Sequence, residues 1–131
     1  MTYAGRCLCG QVRWQAAGDP INVRICHCRL CQKATGGPYF ARALFFKAQF
    51  GVTGETTRFA SSHRIERRSC PSCGTPMFAE PLDQRDRIAV SIATCDDRDA
   101  LRPGSHIWTS SKLDWVRLDD DLPKFSERPT D

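Results

Sequence analysis

The chain has 131 residues, enough for one domain with its own core, and at 40% hydrophobic and 26% charged it is no candidate for global disorder. Its formal net charge of +4 suits an anionic small molecule and does not demand nucleic acid. The best apolar run, residues 39–46, carries Arg42 in its middle, which excludes a spanning helix, and residues 1–10 lack the apolar region of a secretory signal. A reducing, cytoplasmic setting is therefore expected, where clustered cysteines serve metals rather than disulfides.

In chain order the pattern predicts short strands separated by turns. Residues 11–15 put Val12 and Trp14 on one face, and residues 21–25 put Ile21, Val23 and Ile25 together. Residues 29–35 are the one good helix candidate, closed by Gly36. Residues 38–46 read as one long strand or a strand pair. Residues 56–60 and 64–69 read as strands around a turn at 61–63. Residues 87–94 form the clearest strand, with Ile88, Val90 and Ile92 facing one way. Residues 106–109 and 115–118 are two further short candidates. Turns are expected at 18–20, 36–38, 51–54 and 102–104, where Gly and Pro concentrate. Residues 119–131 read as an extended tail on a single domain spanning 1–131. There is no internal repeat and no low-complexity segment.

Seven of the eight cysteines fall in three tight clusters. Cys7 and Cys9 make a C-x-C. Cys26, Cys28 and Cys31 make a C-x-C-x-x-C. Cys70 and Cys73 make a C-x-x-C followed by Gly74. In a C-x-x-C the two intervening residues let both sulfurs reach one ion, and the glycine permits the positive φ that follows such a turn. That pair supplies two ligands, and Cys7 and Cys9 are the natural source of two more. A closed set of four thiolates is structural. Cys26, Cys28 and Cys31 can converge on a second ion, with Cys31 on the first turn of the helix, and leave one position for water or substrate. A redox C-x-x-C and a disulfide framework are the competing readings; the other clusters weigh against the first, and neighbours as close as Cys7 and Cys9 cannot form relaxed bridges.

The remaining candidates carry blander expectations. His27 lies between two ligands and should point away from them in extended chain, as a packed or surface residue. Cys95 reads as a small buried hydrophobe, although it or His63 could close the second site. His106, Trp108 and Trp115 read as core or pocket wall. Arg24, Arg29 and Lys33 lie near the second cluster and could attract carboxylates. Arg64, Arg67 and Arg68, interrupted by Glu66, read as a solvated strand face.

These pieces in this order resemble the glutathione-dependent formaldehyde-activating enzyme family, which includes the centromere protein V group. The resemblance is carried by Cys7-Leu8-Cys9-Gly10, by Cys26-His27-Cys28-Arg29-Leu30-Cys31 and by Cys70-Pro71-Ser72-Cys73-Gly74-Thr75. The segment from His106 to Lys112, Trp115, Asp121-Leu122-Pro123 and Phe125 also match. The resemblance implies a mainly β fold, a β-tent of coiled antiparallel sheets with zinc-binding loops and at most one or two short helices. It implies a structural zinc on Cys7, Cys9, Cys70 and Cys73, and a second, part-filled zinc on Cys26, Cys28 and Cys31, the site of catalysis. It further implies carbon–sulfur lyase chemistry on glutathione, or a similar small thiol, and formaldehyde or another small aldehyde. Thr94-Cys95-Asp96-Asp97 departs from the family, which usually has a Leu-Asp-Asp-like run there. The alternative is a non-enzymatic zinc module that binds protein or nucleic acid, but the chain shows no extended basic face with interleaved aromatics.

Overall fold

A computed structural model describes residues 1–129. The chain is mainly β, with ten strands, one α-helix and three 3-10 turns among the described residues. The strands are β1 Thr2–Arg6, β2 Arg13–Ala17, β3 Asn22–Cys26, β4 Phe40–Phe46 and β5 Phe50–Thr53, then β6 Thr57–Ala60, β7 Ile65–Ser69, β8 Pro76–Pro81, β9 Arg87–Ser91 and β10 Ser105–Ile107. Helix α1 spans Arg29–Thr35, as the sequence predicts.

Two sheets form. A three-stranded sheet has the order β1-β2-β5 and a seven-stranded sheet the order β10-β3-β4-β9-β8-β7-β6. All pairings are antiparallel except β10 with β3. Alternation explains the small sheet: Tyr3 and Gly5 of β1, and Trp14 and Ala16 of β2, face inward from otherwise exposed strands. They pack on Ala43, Phe45, Phe78, Ile88 and Val90 of the large sheet, and Trp14 stacks on Phe50 with ring centroids 5.4 Å apart. A second, smaller cluster holds Cys26, Cys31, Phe40, Leu44, Ala79, Ala89 and Ile107. Each cysteine cluster therefore borders its own core.

Several sequence expectations need correction. The predicted strand 87–94 ends at Ser91, and Ile92–Thr94 form a 3-10 turn in which the Thr94 hydroxyl bonds both the Ser91 carbonyl and the Trp14 indole N–H. Alternation continues through Ile92, so the sequence pattern alone cannot show where the ladder stops. Residues 115–118 are not a strand; Val116 donates to the Leu113 carbonyl in a turn, and no ladder is offered to this segment. Residues 51–54 are not only a turn, because β5 runs through Gly51 to Thr53 and pairs with β2. Strands β1, β5 and β8 were not predicted. The strand expected at 11–15 begins at Arg13, since residues 7–12 form the turn that carries Cys7 and Cys9.

The segment after Leu118 is held by backbone bonds to β10 and the turn after it. His106 N–H donates to the Pro123 carbonyl, Phe125 N–H to the His106 carbonyl, and Thr109 N–H to the Phe125 carbonyl, at 2.9, 2.9 and 3.1 Å. Of the tail expected at 119–131, Thr130 and Asp131 lie outside the described residues.

Candidate functional site

The first cysteine group is built by two turns that match each other. Cys7 N–H donates to the Val12 carbonyl and Cys70 N–H to the Thr75 carbonyl, both at 3.0 Å. Gly10 (φ 82°) and Gly74 (φ 77°) then turn back, and their N–H groups bond the Cys7 and Cys70 carbonyls. Those left-handed angles would strain any side chain with a Cβ. A register shift between Arg68 and Ser69 leads β7 into the second turn. The result brings together Cys7, Cys9, Cys70 and Cys73, with all four sulfurs within 4.8 Å of one another. Cys7 and Cys9 sulfurs are 3.6 Å apart, and Cys9 and Cys70 sulfurs 3.7 Å. A tetrahedron of sulfurs bonded at about 2.3 Å to one ion has an edge of about 3.8 Å, so the spacing fits a single metal. Backbone N–H groups of Val12 and Cys73 point at the Cys7 and Cys70 sulfurs, at 3.3 and 3.5 Å, where they offset thiolate charge.

The second group sits where β3 ends. Cys26 closes that strand, Cys28 caps α1 by accepting from Cys31 N–H at 3.3 Å, and Cys31 lies in the helix. The three sulfurs also lie within 4.8 Å of one another. Cys26 and Cys31 are buried, while Cys28 is half-exposed. Gln32, itself buried, ties the helix down by donating to the His27 carbonyl at 2.8 Å and the Ser111 carbonyl at 3.0 Å. Hydrogen bonds from Cys26 and then Cys31 pull the Cys28 thiol down to about 2, while the same contacts push Cys26 up. Three crowded sulfurs therefore do not ionise together unaided, and a divalent cation would remove the conflict. Both groups could hold a metal ion.

Cys95 joins neither group among the described residues. It is 6% exposed and packs in the larger core with Tyr3, Trp14 and Leu101, and Gly5 bridges to it from β1. Burial raises its thiol. His63 belongs to neither group.

Sequence reasoning missed two features beside the second group. His27 is fully buried, and its Nε2 lies 2.9 Å from His106 Nδ1, whose Nε2 in turn lies 2.8 Å from an Asp120 carboxylate oxygen. Burial, then His106 and Lys112, push the His27 pKa down. The partners are distant in sequence, and no local signal could have paired them. Arg67 is the second. The expected solvated face of Arg64, Arg67 and Arg68 holds for Arg64, which is exposed, and fails for the other two: Arg67 Nη2 donates to Cys31 Sγ at 3.4 Å and the guanidinium lies 5.7 Å from the Phe40 ring centre. Arg68 pairs with Glu80 at 2.8 Å, with both side chains nearly buried. The signal was present in β7, since alternation places Arg67 with Ile65, which packs on the smaller core. A cavity of about 310 Å³ opens beside these residues, lined in part by Lys33, Phe40, Phe59 and Arg67. Of the cations expected near the cluster, Lys33 borders this cavity and Arg29 instead bonds Gln32.

Two cysteine groups, one of four residues and one of three, each able to hold a metal ion, sit on a mainly antiparallel β scaffold. The chain belongs to the glutathione-dependent formaldehyde-activating enzyme family, whose model matches residues 2–111. A Halomonas elongata protein provisionally named a glutathione-dependent formaldehyde-activating enzyme is 28% identical, over 91% of this chain and 82% of its own length. An uncharacterized lyase of Schizosaccharomyces pombe is 29% identical over 76 residues, 58% of this chain, and the match spans 56% of that relative's length. The crystal structure of a Rhodobacter sphaeroides protein superposes with a TM-score of 0.59 at 18% identity, over 93% of this chain and 98% of that one, and shares its fold. No helix among the described residues is long and apolar enough to cross a membrane.

Proposed function

We propose that the protein is a cytoplasmic, zinc-dependent carbon–sulfur lyase that joins a small thiol to a small aldehyde and reverses that step. Residues 1–131 would form a single zinc-binding domain. Cys7, Cys9, Cys70 and Cys73 would hold a structural zinc, and Cys26, Cys28 and Cys31 a second ion at the reaction site. Soft thiolate donors suit zinc, and the sulfur spacing of the first group supports one tetrahedral ion there. The observation that carries the reading is the three-membered second group, with half-exposed Cys28 at its edge and Cys95 in the other core. Three protein ligands leave a tetrahedral ion one place for an incoming group.

In the forward direction the substrate sulfur forms a carbon–sulfur bond to the aldehyde carbon as the carbonyl π bond breaks. The thiol proton ends on the new hydroxyl oxygen, so thiol and aldehyde give a hydroxyalkyl thioether with nothing lost. Bound zinc would supply a thiol held as thiolate at neutral pH. The chain supplies the rest. Gln32 and the Cys28 cap fix α1 against the ligand loop, and Arg67 lends positive charge beside Cys31. The names of the family and of the Halomonas relative support glutathione and formaldehyde as the substrate pair.

The test is exchange NMR of glutathione with formaldehyde, which follows hydroxymethyl thioether formation above its spontaneous rate. Wild-type protein should accelerate exchange and Cys28→Ser should not. Equal rates with and without wild-type protein would overturn the enzyme reading.

A further inference from the structure

The cavity beside Arg67 has a chemistry that the metal ligands do not explain. It is bordered by three cations, Lys33, Arg67 and Arg68, and by no acidic side chain. Apolar surface from Leu30 and Phe59 completes much of the wall. Phe59 is 72% exposed, unusual for an aromatic side chain on a short edge strand, and offers an apolar surface to a ligand. Arg68 is already matched by Glu80, whereas Lys33 appears in no ion pair among the described residues. Arg67 uses one N–H on the Ser61 hydroxyl at 3.0 Å and one on Cys31 Sγ at 3.4 Å. A guanidinium carries five N–H donors in a planar fork, which leaves donors for a carboxylate.

We propose that this cavity binds the carboxylate-bearing body of a short peptide thiol, with Arg67 and Lys33 as the residues that anchor its carboxylate. The inference rests on the carbon–sulfur reading above and adds the residues that select the thiol. Distance supports it. A carboxylate on the second N–H of Arg67 Nη2 lies at most about 6 Å from Cys31 Sγ, taking the 3.4 Å contact plus a hydrogen bond of about 2.9 Å. A carboxylate one residue beyond a cysteine spans about 7 Å of extended chain, so an anchored ligand can deliver its sulfur to the cluster. Volume supports it too: about 310 Å³ is at the small end of ligand pockets, which hold small molecules rather than protein segments. Arg67 is thus a positioning residue that touches the ligand's charge and a cluster thiolate at once.

The test uses the intact protein and S-methylglutathione, whose sulfur is blocked and whose carboxylates remain, read by calorimetry at low salt. Wild type should bind it, and the diethyl ester, which lacks both carboxylate charges, should bind at least tenfold more weakly. Arg67→Leu should lose about tenfold for the acid and less than twofold for the ester, and Arg67→Lys should recover part of the loss. A destabilised β7 would weaken both ligands alike, so the acid–ester difference isolates the charge contact. Lys33→Ala, on the exposed face of α1, should lose about threefold for the acid alone and provides the same check should Arg67→Leu not fold. Equal affinity for acid and ester, or an unchanged acid affinity in both variants, would overturn the proposal. Cys28→Ser should still bind S-methylglutathione, so a failed lyase reading and a failed anchor give different results.

Discussion

The two cysteine groups share one ligand chemistry and differ in what surrounds them. The first joins two turns separated by more than sixty residues, at the junction of the two sheets and against the larger core. Its cysteines come in pairs from these two turns, each closed by backbone bonds of its own. The second takes its cysteines from six consecutive residues at a strand end, against the smaller core. Ion binding at the first would close a long loop and contribute directly to folding free energy, whereas the second asks little of the chain beyond its own strand end and helix. On the proposed reading, that difference would separate a site that builds the fold from one the fold presents.

The largest effect is expected from Cys73→Ser. It should cost several kcal/mol, much of the ~5–15 kcal/mol that a domain has, and leave unfolded or insoluble protein. Circular dichroism and metal analysis check this; a cooperatively folded variant with full metal content would erase the contrast between the groups. Cys28→Ser should remove at most one metal per chain and keep a cooperative thermal transition. Collapse as complete as that of Cys73→Ser would make the second group structural as well.

Smaller effects sharpen the account of what frames the second group. Asp120→Asn should weaken the clamp that runs from His27 through His106 to the tail, seen as faster amide exchange at Phe125 with the global transition barely moved. The same clamp gives a pH signature. The His106 hydrogen bond, then Lys124, hold the Asp120 carboxyl down at about 2. Its folded value lies below the unfolded value of about 3.9, so its contribution is complete above that value and is lost as pH falls toward 2. Protection of Phe125 should therefore fall in that window in wild type and not in Asp120→Asn. Cys95→Ala should have the smallest effect, about 1 kcal/mol from a slightly underpacked core, with metal content unchanged.

The two cysteine groups were legible because cysteine spacing is local. The C-x-x-C at 70–73 and the C-x-C-x-x-C at 26–31 write their turn and helix cap directly into neighbouring residues. Helix α1 was legible for the same reason, with its cap and closing Gly36 both within the segment. Strand β8 was not, because Pro76 and Pro81 bound Met77-Phe78-Ala79, a run buried without alternation. Strand β1 escaped because Ala4, Gly5 and Arg6 carry little strand preference and are fixed by pairing with β2. Arg67 and Arg68 were misread as one solvated run, although the first reaches Cys31 and the second pairs with Glu80. The pairing of His27 with His106 depends wholly on the parallel β10–β3 ladder, which brings His106 opposite Ile25.

The central claim is that the second group keeps a place for an incoming thiol. Cobalt-substituted protein tests it most directly, because sulfur ligation changes the visible spectrum of a tetrahedral site. Glutathione should shift the spectrum of wild type and of Cys95→Ala alike, and leave Cys28→Ser without that shift. A wild-type spectrum indifferent to glutathione, with a response gained only in Cys95→Ala, would mean that Cys95 completes the site and that no place is open.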